Sequence, residues 1–162
     1  MGRNAKGISR TCAYESLRNE IDAILGCYGL QAVDISVRRS SGKALLDIYL
    51  AKMNSGIACS PNTSDLEEAS SVLHIFFDDY FRDQDYVMTL SSPGLNRCLK
   101  TLYELKLFNG RMANVSFADE NGESVSVVGK IVSADDDKLA LFLNSGEVII
   151  PIDSIRNAFL EE

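Results

Sequence analysis

The sequence predicts an α+β chain: an N-terminal half of order α-β-β-α-β, then an all-β half short enough to close as a small barrel. Three observations predict it. Apolar residues recur at helical spacing over 17–28 and 66–80, and in alternation over 33–37 and 46–50, the two periods that separate a helix face from a half-buried strand. Beyond residue 111 only short apolar runs occur, divided by turn residues, as in a small antiparallel sheet. Between the halves lies Ser91-Ser92-Pro93-Gly94-Leu95-Asn96-Arg97. There Pro93 presets φ for the first central position of a type II turn, and Gly94 accepts positive φ at the second. This stretch reads as a stiff interdomain turn. The expected division is a flexible arm over 1–11, an α/β domain over 12–92, and a barrel domain over 93–162 that includes the joint.

The arm carries Arg3, Lys6 and Arg10 and reads as a mobile basic terminus. A helix begins at Thr11 or Ala13. Leu17, Ile21, Ile24, Leu25 and Tyr28 form its apolar face, Arg18, Asn19 and Asp22 point away, and Gly29 supplies a left-handed cap. Val33, Ile35 and Val37 line one strand and Leu46, Ile48 and Leu50 the next, joined by a hairpin loop Arg39-Ser40-Ser41-Gly42. Ser64-x-x-Glu67 reads as a capping box. The helix that it opens puts Leu66, Ala69, Leu73, Phe76, Phe77 and Tyr80 on one stripe. Tyr86 to Leu90 form the third strand, and Pro93 keeps Ser92 extended. Both helices on one face of the sheet would bury these stripes.

After the joint, Leu102, Leu105 and Phe108 predict a short helix stopped by Asn109-Gly110. Ala113, Val115 and Phe117 alternate, and Asn121-Gly122 is a hairpin dipeptide expected to hold positive φ at both positions. Val125 to Ile131 continue, with Gly129 as a bend or bulge where the sheet curls. Asp135-Asp136-Asp137-Lys138 turns the chain into Leu139, Leu141 and Leu143, and Asn144-Ser145-Gly146 turns it into Val148-Ile149-Ile150. Ile152 to Ile155 reads as one tight helical turn before the last strand. Five short strands in so few residues suit a small closed barrel.

Composition narrows the function. A net charge of −7 opposes diffuse attachment to nucleic acid, where phosphate neutralisation supplies most of the affinity. It favours a basic protein partner or a nucleic-acid site confined to a local positive patch. No apolar run reaches the ~20 residues that span a bilayer. The basic start is followed by no apolar signal core. Cys12, Cys27, Cys59 and Cys98 are scattered without a close pair, which disfavours zinc and points to a reducing cytoplasm. No phosphate-binding glycine loop, nucleophile elbow or metalloprotease helix occurs. His74 alone gives Cys chemistry no convincing base, and Asp78, Asp79, Asp83 and Asp85 lack calcium-loop spacing. No enzyme, cofactor, metal site or small-molecule substrate is expected.

What remains is a binding protein. Its candidate residues are Asn96, Arg97, Lys100 and Arg111 in the most basic run of the chain, interrupted only by Glu104. Arg97, Lys100 and Arg111 would face phosphate or a structural carboxylate. Arg38, Arg39 and Lys43 form a second basic patch at one hairpin tip, which either meets phosphate or stays solvated. Ser91 and Ser92 satisfy turn backbone.

The stretch Ser91 to Arg97 resembles the signature Ser-Ser-Pro-Gly-Leu-Asp-Arg-Pro-Leu of the bacterial ribosome maturation factor RimP family. The resemblance extends from the first helix to Leu160 and includes Asn109-Gly110-Arg111 and the segment from Ile152 to Leu160. It implies an N-terminal α/β domain, a C-terminal SH3-like (Sm-like) barrel and a non-enzymatic assembly factor; a monomer is expected. Such a factor binds the free small ribosomal subunit and assists late rRNA folding and docking of a basic ribosomal protein. Asn96 stands where the family has Asp, Cys98 where it has Pro, and Ser71 where members often carry Arg. Two other classes fit the pattern: a stand-alone Sm-like RNA-binding module, which would need exposed aromatics such as Phe117 or Phe142, and a protein–protein adaptor.

Overall fold

The computed structural model describes residues 7–94 and 96–161. Helices and strands divide between two compact units, each with its own sheet. Ala13–Pro93 forms one; the chain from Gly94 onward, with the segment that ends at Cys12, forms the other. Leu95 lies outside the described residues, as do Arg3 and Lys6.

In the first unit α1 (Glu15–Leu25) tightens into a 3-10 turn, Gly26–Tyr28, which Gly29 ends at φ 71°. Then come β1 (Leu30–Ser40), β2 (Lys43–Asn54), β3 (Ile57–Cys59), α2 (Thr63–Tyr80) and β4 (Tyr86–Ser91). β1 and β3 pair antiparallel with β2, and β4 pairs parallel with it, so the sheet is mixed. β3 has three residues, too few for an alternation to be read. Leu17, Ile21 and Leu25 of α1 and Ala69, Leu73 and Phe77 of α2 share one core with Leu46, Ile48 and Leu50 of β2.

Four local expectations are corrected. The β1–β2 connection is a two-residue turn, Ser41 and Gly42, both at positive φ (51° and 78°), a geometry that matches the twist of the flanking strands. A register shift between Ala32 and Asp34 lets Ala32 and Val33 both be buried. α2 starts before Ser64: Asn62 Oδ1 accepts from the Asp65 amide at 2.8 Å, and Asp65 Oδ2 accepts from the Asn62 amide at 3.0 Å. Asn and Asp close the same reciprocal box with shorter arms. Arg18, expected to face outward, is buried, with its head 4.0 Å from Glu15; its long apolar stem can cover core surface.

The second unit begins with α3 (Leu102–Leu107), followed by β5 (Met112–Ala118), β6 (Ser124–Ala134), β7 (Lys138–Leu143), β8 (Gly146–Pro151), a 3-10 turn Ile152–Ser154, and β9 (Ile155–Leu160). The antiparallel sheet runs β8-β7-β6-β5-β9. Val115, Ile131, Leu139, Leu141, Ile150 and Leu160 are buried, as are Leu102, Leu105 and Phe108.

The expected closure is not seen among the described residues: no ladder joins β8 to β9. The available edge of β9 is already used. Leu99 donates its amide to the Ala158 carbonyl at 2.8 Å, Leu160 donates to the Arg97 carbonyl at 2.9 Å, and Cys98 bridges Phe159. At the β5–β6 turn Gly122 takes φ 78° but Asn121 does not take positive φ. A longer loop forms instead, in which Asp119 Oδ1 accepts from the Asn121 and Glu123 amides, each at 2.9 Å. The bulge in β6 falls between Ile131 and Ser133. Gly129 has another role: a Cβ there would meet Leu143 Cδ1 at 2.9 Å and the Phe142 carbonyl at 3.0 Å.

The segment before Cys12 departs furthest from expectation. Ser9 donates its amide to the Lys100 carbonyl at 2.9 Å and accepts from the Leu102 amide at 2.8 Å. Arg10 pairs with Asp153 at 2.9 Å and donates to the Asp136 carbonyl at 3.0 Å. The segment is thus tied to the second unit by the Ser9 backbone, which side-chain pattern does not report, and by the Arg10 side chain.

Candidate functional site

Arg97 is fixed at both its backbone and its side chain. Its carbonyl accepts from Leu160, and its Nε donates to Glu104 Oε2 at 2.9 Å. Glu104 is placed by the start of α3, where its amide donates to the Thr101 hydroxyl at 3.1 Å. Only 9% of the Arg97 side chain and 2% of that of Glu104 are exposed. This is a buried, hydrogen-bonded ion pair within one unit. Two charges out of water hold together when each supplies the hydrogen bond the other has lost. Of the two roles open to Arg97, the geometry places it on a structural carboxylate.

The other members of the basic run differ in their exposure. In the extended segment Arg97 and Leu99 turn inward, while Asn96 and Lys100 are exposed. Lys100 uses its carbonyl for Ser9. Arg111 is half-buried; its amide donates to Phe108 and its carbonyl accepts from Ile131. Gly94 takes φ 82°, the value a type II turn needs at its second central position. Ser91 ends β4 opposite Tyr49, and Ser92 and Pro93 are half-buried.

The hairpin patch is divided by the pleat. Arg39 pairs opposite buried Ala44, on the helix-bearing face, whereas Arg38 pairs opposite Leu45 on the other face. Arg38 donates to Asp47 Oδ2 at 3.1 Å. Lys43 lies opposite Ser40 on the Arg38 face. Arg38 and Lys43 therefore share one face while Arg39 lies on the other, and the three charges are not one patch.

Sequence reasoning missed two polar anchors. Lys52 Nζ donates to the Tyr28 carbonyl and to Asp65 Oδ1, each at 2.9 Å. The Asn62 amide and Lys52 together hold the Asp65 carboxyl below its usual range. Glu104 had a visible signal in Thr101-x-x-Glu104, a capping pattern; Lys52 had none.

His74, Asp78 and Tyr86 form a second polar cluster. Tyr86 donates its phenol to Asp78 Oδ1 at 2.6 Å, and His74 Nδ1 lies 2.9 Å from the phenol oxygen of Tyr86. Because the phenol has one proton, Nδ1–H of His74 donates to it. Burial, then the hydrogen bond and charge of Asp78, push the Tyr86 phenol up to about 12. The cluster secures β4 to α2. Among the described residues no group of three or more His, Cys, Asp or Glu could hold a metal ion, and no helix is long and apolar enough to cross a membrane. All four cysteines are unpaired. No protein-family model matches the chain.

Proposed function

We propose that this chain is a cytoplasmic ribosome maturation factor of the RimP type, which binds the free small ribosomal subunit and assists late rRNA folding and docking of a basic ribosomal protein. One observation carries the reading: a helix-bearing α/β unit ends at the Pro93–Gly94 turn, and a five-stranded sheet follows in the order β8-β7-β6-β5-β9 with a 3-10 turn before its last strand. In this reading the five strands and the turn belong to an SH3-like barrel, the architecture that the Ser91–Arg97 resemblance implies. In this proposal Lys100 and the exposed face of the Arg38 hairpin meet RNA. Arg97 acts indirectly, by holding the joint segment on β9 and α3. The acidic remainder, at net −7, receives a basic protein. The role is binding, without catalysis.

The reading is tested by sedimenting the tagged protein through a gradient of cell extract at low salt. Co-migration with free small subunits and absence from whole ribosomes is the expected result; a protein that stays at the top of the gradient overturns it.

A stand-alone Sm-like RNA module is favoured by one feature: Phe142 is exposed on the second unit, as base stacking requires. Such a module would bind free oligoribonucleotides. Its log affinity would fall with log salt at a slope of about −0.7 per phosphate neutralised. A protein adaptor would show a flat profile.

A further inference from the structure

The outward face of the second sheet carries apolar side chains where strand alternation would place polar ones. Val128 and Val132 of β6, Phe142 of β7 and Ile149 of β8 are 47%, 42%, 57% and 52% exposed. Scattered apolar residues need no explanation, but a contiguous set does. The register makes these a set. Phe142 stands opposite Lys130 on one side and Glu147 on the other. Val128 lies two residues before Lys130 on β6, and Ile149 two residues after Glu147 on β8. With strands ~4.8 Å apart and ~3.4 Å per residue, Val128 and Ile149 each sit about 8 Å from Phe142, on opposite diagonals.

We propose that this face binds a second copy of the chain, sheet against sheet, about a two-fold axis parallel to β7. The argument is charge complementarity. An axis in that direction exchanges the strand on one side of β7 for the strand on the other. Lys130 then meets Glu147 of the second copy, twice by symmetry, and Phe142 meets its own equivalent. Val132, at the β6 register shift, faces Ile149 of the second copy. An in-plane axis across the strands would instead set Lys130 on Lys130. The charge pattern therefore selects one orientation, close to the aligned packing that twisted sheets adopt. Lys130 and Glu147 cancel, so the face gives phosphate no net attraction, which separates it from an RNA platform. The patch is small, so the expected dimer is weak and depends on concentration. It stands independently of the ribosomal reading, and it is the alternative to the expected monomer.

Sedimentation equilibrium of the full chain from about 10 µM to about 1 mM tests this. The wild-type chain is expected to dimerise, and Phe142→Glu to remain monomeric with an unchanged far-UV spectrum. Lys130→Glu and Glu147→Lys should each weaken the dimer about tenfold, while the double exchange K130E/E147K returns to within about threefold of wild type. A wild-type monomer throughout the range overturns the proposal. So does a dimer indifferent to Phe142→Glu, or a double exchange as weak as either single one. Loss of oligouridylate binding by Phe142→Glu from a monomeric wild type would assign the face to RNA.

Discussion

At the scale of single residues, Arg97 has the most consequence. Its sequence neighbourhood is basic, so pattern alone presents it as one of a cluster. The structure gives it a partner seven positions on, inside the fold: Glu104, only 2% exposed, at 2.9 Å. Removing one member of such a pair leaves the other charge buried without its counterion, whereas removing both leaves a site that apolar side chains can fill. Arg97→Met and Glu104→Leu are each expected to lower unfolding free energy by about 3–5 kcal/mol. The double variant is expected to recover more than half of the larger loss. Urea denaturation checks this; if Arg97→Met costs no more than an exposed substitution, the pair is not buried as described. Charge order in a sequence shows which residues are basic. It does not show whether a guanidinium turns toward solvent or inward, because that depends on the phase of a short extended segment against β9.

At the scale of elements, the sequence period identified both long helices and most strands, because each buries one face and the period records it. Features set by backbone fit were not legible in that way. Gly129 reads as a bend by type, yet its surroundings are a close approach by β7, with the Phe142 carbonyl 3.0 Å from where a Cβ would lie. The start of α2 is a similar case. Two capping patterns overlap between Asn62 and Glu67, and tertiary contact selects the first, since Lys52 of β2 reaches Asp65 at 2.9 Å. Hydrogen bonding by the Asn62 amide, then by Lys52, lowers the Asp65 carboxyl from its ordinary 3.8. A carboxyl lowered in the folded state contributes stability that is fully present above its unfolded value and is lost as pH falls through the folded one. Asp65→Asn is therefore expected to be less stable than wild type at pH 7, with the gap closing once pH falls below 3.8. Thermal melts of both proteins from pH 7 down to pH 3 check this. A gap that stays constant with pH would mean that the Asp65 charge contributes nothing.

At the scale of the whole molecule, the unit that contains β5–β9 is built from two separated pieces of chain, with Ala13–Pro93 between them. A composition-based reading divides a chain at breaks in pattern and cannot return an early segment to a late domain. The joint after Pro93 carried a signal in Pro and Gly, whereas the return of residues 7–12 carried none. That return has a specific physical role. Leu102 opens α3, and the first amides of a helix have no acceptor within it. Thr101 provides its hydroxyl to the Glu104 amide, and the Ser9 carbonyl accepts from the Leu102 amide at 2.8 Å. The early segment thus completes the N-terminal cap of α3, while Arg10 anchors it to Asp153. Deletion of residues 1–12 from the full chain is expected to expose the Leu102 amide and to speed its hydrogen exchange about tenfold. The β2 amides of Leu46 and Ile48, which belong to the other unit, should exchange at their original rate. Arg10→Ala alone should give a smaller increase at Leu102, because it loosens the anchor and leaves the Ser9 carbonyl in place. Equal exchange at Leu102 with and without residues 1–12 would show that the segment contributes no protection and that the second unit is complete from Gly94 onward.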